Sequence, residues 1–404
     1  MTLAALAIVA AVPRTAWAHR GAWTDGDAEE YLLLARSIVS SGRFSYDGVS
    51  LSSYRPPLYP GLLAAAMRLS SHPIEVVLAL QCMLGVLTVV LTHELARRVF
   101  NQRVALISGT LLALAPMTSR YVATALTETL FTFLMVLAMW AWQERAKAIA
   151  GVGLGLAVLT RASLLPYIVV ILALAAIPAF RRQRRTMLTI GVVAVVTIAP
   201  WVIRNVYATG RVTVADAGWG ANLLYGTVDL PRGANPWTQI LSATADLNLP
   251  HEPTAAAEHA ARDAALERIR ANPIGWGLTR LRQFPRLLLD SGDYFPLQAN
   301  TRSFREALST QHWDTVVLKI GFMAGNAILF LLAAYGLWLQ RGRLQDIAPL
   351  WTFPVFLLVV QLPMYAEPRY GMPLVPFFAI LAAAAVDAQW AAGQPPMTAP
   401  DRSG

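Results

Sequence analysis

Asp27 is followed by Glu30, Tyr31 and Leu34, and spacings of three, four and seven put these side chains on one face of a helix. A carboxylate at the head of such a face, partly withdrawn from water, can take a proton from a hydroxyl or an amine. Asp25 stands two residues earlier and competes for that role. The plain alternative is a capping box, with Asp27 as N-cap and Glu30 at N3. Arg55 opens Arg55-Pro56-Pro57-Leu58-Tyr59-Pro60, where the prolines fix the backbone and argue against an ordinary helix start. An arginine held this way can grip a phosphate through charge-assisted hydrogen bonds, or it can anchor a loop among lipid headgroups.

Glu128, beside Thr127, falls near the end of an apolar run, where an ionisable group is costly unless it has a task or reaches water. Arg161 interrupts the apolar stretch 148–180 with no acid adjacent in sequence, so it needs an anion from elsewhere, either a carboxylate or a phosphate. Arg204 closes Pro200-Trp201-Val202-Ile203-Arg204-Asn205, and reads equally as part of a site or as an interface belt with Trp201. Glu367-Pro368-Arg369-Tyr370-Gly371-Met372-Pro373 reads as a tight reversal that presents Arg369 and Tyr370. Glu94 lies beside Arg97 and Arg98 and reads as a local ion pair.

The elements that must position these groups are apolar. Of 404 residues, 56% are hydrophobic and only 14% charged, against roughly 25% charged in a soluble domain. The composition is that of an all-α integral membrane protein, each span needing about 20 apolar residues. The net charge of +9 is better explained by arginines facing an anionic leaflet than by nucleic acid. Cys82 is the single cysteine, which excludes a disulfide framework and a thiol metal site.

Apolar runs lie near 1–18, 76–98, 103–120, 124–143, 148–162, 163–180, 187–203, 316–338, 347–366 and 371–390. The first is expected to be a short span rather than a signal peptide, because it lacks a basic start. With a cytoplasmic N-terminus, four basic clusters share one side: Arg97, Arg98 and Arg103; Arg145 and Lys147; Arg181, Arg182, Arg184 and Arg185; Arg341 and Arg343. Two long segments, 19–75 and 204–315, then lie outside, and both termini are cytoplasmic. Within the second, 254–271 reads as an amphipathic helix, and 274–290 as a helix lying in the interface. Residues 1–392 form one polytopic domain in this reading, and 393–404 a disordered tail. All the chemical patches fall at the outer face.

Carboxylates and arginines gathered at one membrane face suit an anionic, lipid-linked substrate. A Gly-rich phosphate loop with Lys-Ser/Thr, His-Glu-x-x-His and Gly-x-Ser-x-Gly are all missing from the sequence. The scattered histidines and the lack of an acidic cluster in the cytoplasmic loops argue against a histidine metal site and a nucleotide-dependent enzyme.

Taken in order, several short stretches resemble the GT-C superfamily of polytopic glycosyltransferases, in the branch of the protein O-mannosyltransferases and the lipid A aminoarabinose transferase. They are Asp27-x-x-x-Tyr31 with Ala35, Arg55-Pro56-Pro57-Leu58-Tyr59-Pro60, Thr127-Glu128, and Leu159-Thr160-Arg161. Pro200-Trp201 with Arg204-Asn205, Asn222-Leu223-Leu224-Tyr225-Gly226, and Pro368-Arg369-Tyr370 with Pro373 follow. The resemblance implies a sugar transferred from a polyprenyl-phosphate carrier, at the outer face of the inner or plasma membrane, to a glycolipid, glycan or protein. It implies Asp27 as the catalytic acidic residue of the first outer loop, accepting the acceptor's proton, Glu128 as the second acidic position, and Arg55 as the residue meeting the carrier phosphate. Arg161 and Arg369 are expected to share that phosphate, with Asp25, Glu30, Tyr31, Tyr59, Arg204 and Tyr370 in support. The aminoarabinose enzymes have Lys where Arg55 stands, and no large C-terminal soluble domain is expected here. A divalent cation is conceivable, but none is expected to be essential. A flippase for polyprenyl-linked sugars is the competing reading; it would need polar residues through the membrane midplane.

Overall fold

The computed structural model describes residues 2–19, 24, 26–217, 219–230, 236–247, 254–289 and 304–392. Asp25 and the tail 393–404 lie outside them. The described residues are helical, without a strand. In chain order the α-helices are α1 (Leu3–Ala18), α2 (Asp27–Ser41), α3 (Leu58–Leu69), α4 (Pro73–Val99), α5 (Gln102–Leu114), α6 (Pro116–Arg120) and α7 (Glu128–Gln143). Next come α8 (Lys147–Thr160), α9 (Leu165–Ala176), α10 (Arg184–Thr209), α11 (Trp219–Tyr225), α12 (Pro236–Thr244) and α13 (Ala255–Ala271). The last are α14 (Pro273–Gln283), α15 (Arg286–Leu289), α16 (Phe304–Ser309), α17 (Trp313–Leu339), α18 (Ala348–Gln361) and α19 (Val375–Ala392).

Each apolar run of the sequence holds a helix, and α4, α10, α17 and the helical stretch Pro368–Ala392 are long and apolar enough to cross a membrane. Exposed valines and isoleucines line α10 (Val192, Val195, Val196, Ile203) and α17 (Val317, Ile320, Ile328). Apolar surface of this extent is stable against lipid, not water. The chain is a multi-pass membrane protein.

Helix ends depart from the expected spans where local chemistry dictates. The run 103–120 is two helices: Ala115, preceding Pro116, is extended (φ −63°, ψ 116°), because a proline disfavours α geometry in the residue before it. The run 124–143 starts its helix only at Glu128. The run 347–366 loses its helix after Gln361, and 371–374 belong to a 3₁₀ stretch, Pro368–Leu374, rather than to a simple reversal. Pro56 and Pro57 do not prevent an ordinary helix; α3 begins directly at Leu58. Pro60, in its first turn, removes only an N–H that no intrahelical acceptor would have met. The amphipathic helix expected at 254–271 is α13. The expected helix 274–290 is broken into α14 and α15 around Pro285.

The core runs along the bundle through Phe131, Tyr167, Phe353 and Phe377, all buried. Tyr167 donates to or accepts from Thr352 at 2.7 Å inside this cluster, which satisfies both hydroxyls. Helices α8 and α10 pack closely because Gly151 and Gly155, one turn apart, leave room for Val193 and Thr197.

One end of the bundle gathers the basic loops. Arg98 pairs with Glu144 at 3.1 Å, joining the C-terminal ends of α4 and α7. Trp142 Nε1 donates to Gln183, and Gln183 Nε2 donates to the Gln345 carbonyl. Arg343 reaches the Val99 carbonyl at 3.4 Å. Glu94 pairs with Arg97, as expected, but Arg98 does not join it. The opposite ends of α7 and α8 therefore carry Glu128 and Arg161.

Candidate functional site

Five separate stretches of chain build a charged cluster at that opposite end. Helix α2 supplies Asp27 and Glu30. The alternative capping box does not form: Gly26 is the N-cap, Asp27 is the first helical residue, and no side chain caps the helix. Gly26 has φ 64°, a left-handed conformation that glycine reaches without a Cβ penalty. Asp27 is thereby free to point at partners outside its own helix.

The segment before α3 supplies Arg55. Its Nη2 donates to Asp27 Oδ1 at 2.7 Å, and its Nε donates to Glu30 Oε2 at 2.8 Å. The guanidinium also lies over the rings of Tyr31 and Tyr54, 5.4 and 5.5 Å from their centroids. Tyr31 packs edge-on against Tyr59, which fixes α2 against α3. Tyr59 is fully buried and donates to Gln81 Oε1 at 3.2 Å, so its part is architectural. Gln81 in turn donates to the carbonyls of Val122 and Thr124. These bonds satisfy the unwound backbone ahead of α7 and set where Glu128 begins its helix.

The stretch leading into α19 supplies Glu367, Arg369 and Tyr370. Arg369 Nη2 donates to Asp27 Oδ2 at 2.8 Å. Its Nε lies 2.9 Å from Glu367 Oε1 and 3.8 Å from Glu128 Oε1, close in charge but without hydrogen-bond geometry. Arg161, after α8, lies 3.4 Å from Glu128 Oε1, which answers its need for an anion. Its guanidinium stacks over Tyr370 and Phe131, at 5.1 and 5.7 Å. Glu128 is 1% exposed, and its Oε2 is buried without a hydrogen-bond partner, as is Glu367 Oε2.

Thus the structure brings together Asp27, Glu30, Tyr31, Arg55, Glu128, Arg161, Arg369 and Tyr370. It does not bring in Arg204, whose guanidinium is taken up by the Ser52 and Phe44 carbonyls, by Asn205, and by the faces of Trp201 and Phe44. That arginine pins the loop ahead of Arg55 instead.

The electrostatics divide the carboxylates. Burial opposes ionisation of Asp27, but the guanidiniums of Arg55 and Arg369 outweigh it and hold its carboxyl well below the ordinary range. For Glu367 burial wins: Arg369 offsets it only in part, the charges of Asp27 and Glu128 oppose ionisation further, and the carboxyl is raised. Glu367 was not singled out from the sequence, where it reads as one residue of a Pro/Gly-rich turn. Its signal was the arginine two positions on.

A second layer covers this end. Glu258 of α13 accepts from Tyr54 at 3.1 Å and from the Gly220 and Ala221 N–H groups at the start of α11. Tyr46 donates to Glu30 at 3.3 Å. The Tyr365 N–H donates to the Asn222 carbonyl, and Tyr370 to Asn222 Oδ1 at 3.4 Å. Helices α11 and α13 are thus tied to the segments that carry Arg55 and Arg369. Among the described residues no group of three or more His, Cys, Asp or Glu is placed to hold a metal ion. Three arginines around Asp27 and the buried Glu128 can bind an anion, and a carboxylate oxygen without a partner can accept a proton.

Comparison with known proteins bears on this arrangement. Residues 54–203, less than half of the chain, match the family model described as dolichyl-phosphate-mannose-protein mannosyltransferase. No curated protein matches the chain. Among solved structures it is similar to the archaeal oligosaccharyltransferase AglB from Archaeoglobus fulgidus, solved with an inhibitory peptide and a dolichol-phosphate. The TM-score is 0.54 at 13% identity, over 96% of this chain and 50% of AglB. A second AglB structure, tethered to an acceptor peptide, gives a TM-score of 0.51 at 14% identity, over 96% and 50%. ArnT from Cupriavidus metallidurans, bound to undecaprenyl phosphate, gives 0.44 at 16% identity, over 95% and 77%. The chain spans half the length of AglB, and at these identities the likeness is one of fold.

Proposed function

We propose that the chain is a membrane glycosyltransferase of the GT-C superfamily, a reading supported by the family model over residues 54–203 and by the fold it shares with AglB. It takes a sugar from a polyprenyl-phosphate carrier and transfers it, with inversion, to an extracytoplasmic glycolipid, glycan or protein. The observation that carries this reading is Asp27 clamped between Arg55 and Arg369, with Glu128 and Arg161 beside them. A carrier phosphate is the anion that such a set of guanidiniums would exchange for Asp27. AglB was solved with a dolichol-phosphate, and this chain would take a donor of the same class.

The basic loops at the other end of the bundle then face the cytoplasm, together with both termini. The site faces outward from the inner or plasma membrane, with 19–75 and 204–315 as its external segments within one domain, 1–392. In the proposed step the acceptor oxygen or nitrogen attacks the anomeric carbon and gives up its proton to a carboxylate of the cluster, as the bond from that carbon to the phosphate oxygen breaks. The leaving phosphate keeps the electron pair. Arg55, Arg161 and Arg369 stabilise its growing charge, an effect worth several kcal/mol (~3) in a site shielded from water. Glu128 holds Arg161 and Arg369 in place.

Mass spectrometry of envelope glycolipids, glycans and proteins from cells with and without the protein tests the reading. The expected result is one sugar missing from one acceptor, restored by the wild-type chain and not by Arg55→Ala. Vesicles that move a polyprenyl-linked sugar across the membrane with no transfer product would favour the flippase.

A further inference from the structure

Each carboxylate of the cluster has a different set of obligations. Asp27 has both oxygens engaged, one by Arg55 and one by Arg369. Glu30 Oε2 accepts from both Arg55 and Tyr46. Glu128 sits at the head of α7, almost fully enclosed, and its Oε2 has no partner. Glu367 shares the unpartnered oxygen but is the less enclosed of the two. Its Oε1 faces Arg369 Nε at 2.9 Å, its Oε2 has no partner, and 13% of its side chain is exposed.

Its place in the chain matters equally. The backbone two residues before Glu367 is hydrogen-bonded to Asn222 of α11. The Pro363 carbonyl lies so close to Gly226 that a Cβ there would come within 2.5 Å of it. Arg280 of α14 donates to the Met364 carbonyl at 2.8 Å. Glu367 therefore stands between the α11–α14 layer, which belongs to the segment available to an acceptor, and Arg369, which belongs to the phosphate-binding set.

We infer that Glu367, rather than Asp27, takes the proton of the acceptor, while Asp27 holds Arg55 and Arg369 in register until the donor phosphate replaces it. This rests on the transferase reading above. The attacking hydroxyl forms its bond to the anomeric carbon, its proton passes to Glu367 Oε2, and the electron pair of the broken bond leaves on the phosphate. The titration behaviour agrees. A base gains strength as its proton affinity approaches the working pH, and burial moves Glu367 in that direction while Asp27 is held the other way. The charged groups facing Glu367 are Arg369 on its own segment, Asp27 from α2 and Glu128 from α7.

The test uses the full chain in proteoliposomes, with undecaprenyl phosphate carrying the sugar found missing from the deficient cells. Sodium azide serves as a nucleophile with no proton to lose. Glu367→Gln should turn over about a hundredfold or more slowly, lose the acidic limb of the pH–rate profile, and bind undecaprenyl phosphate within ~2-fold of wild type. Azide should restore sugar release as the glycosyl azide. Asp27→Asn should not be rescued by azide. Near-normal turnover of Glu367→Gln, azide rescue of Asp27→Asn in its place, or insensitivity of both variants to azide would overturn the assignment. If the wild type itself transfers nothing from lipid-phosphate donors, the transferase reading fails first, and that failure is visible without any variant.

Discussion

Asp27 accepts a hydrogen bond from Arg369 at 2.8 Å across 342 residues of sequence, and this contact ties the helix that follows the first apolar run to the segment that opens the last one. Arg55 grips the other oxygen of the same carboxylate. One acid thus sets the spacing of two arginines, and an incoming phosphate that displaces it inherits both.

Asp27→Asn should therefore cost stability as well as activity. Arg55 keeps Glu30 and Arg369 keeps Glu367, so the expected loss is about 1–3 kcal/mol rather than that of a bare buried charge. The folded-state carboxyl lies below its unfolded value. Its contribution is fully present above roughly pH 4 and declines as pH falls through the folded value. Thermal unfolding in detergent should show the gap between wild type and Asp27→Asn narrowing below about pH 4.

Glu367→Gln should behave in the opposite sense. A carboxyl raised by burial binds its proton more tightly in the folded chain, so ionisation costs stability as pH rises through the unfolded and then the folded value. Replacing it with the neutral amide removes that cost. At neutral pH the variant should unfold within ~1 kcal/mol of wild type, or above it, although its transfer activity collapses. A large destabilisation would mean that the Arg369 contact outweighs the burial.

This contrast marks how far the sequence could be read. The apolar runs located the long apolar helices α4, α10, α17 and α19, because twenty apolar residues in a row have few other uses. Asp27, Arg55, Glu128 and Arg369 were legible because a charge beside an apolar run is expensive and needs a reason. Local spacing could not say which charge meets which. The Asp27–Glu30 spacing also fits a capping box, yet Gly26 takes the cap and frees Asp27. Arg204 read equally as a supporting site residue or as an interface belt, but the loop carbonyls of Phe44 and Ser52 claim it. Glu367 was hidden for the same reason: the acids that face it, Asp27 of α2 and Glu128 of α7, are far away in sequence.

Arg55→Lys separates charge from shape. Lysine keeps the positive charge but has one ammonium, which cannot span Asp27 and Glu30 as the Nη2 and Nε of Arg55 do. It also loses the planar stacking over Tyr31 and Tyr54. Undecaprenyl phosphate should bind about tenfold more weakly, a loss near 1.4 kcal/mol. Binding measured by tryptophan fluorescence should show this shift; an unchanged Kd would remove Arg55 from the phosphate site.

Gly371→Ala tests the segment that presents Arg369 and Tyr370 from the other side. A Cβ at 371 would collide with the Leu287 carbonyl of α15, and a backbone carbonyl cannot swing away as a long side chain can. The 3₁₀ stretch Pro368–Leu374 must then lift off α15. An overpacked contact of this kind costs about 1–3 kcal/mol, so the unfolding temperature should fall. Arg369 would move with the stretch, lengthening its 2.8 Å contact to Asp27. Turnover and affinity for undecaprenyl phosphate should therefore fall together. Gly277→Ala, at a position with nothing within reach of a new methyl, should leave both unchanged.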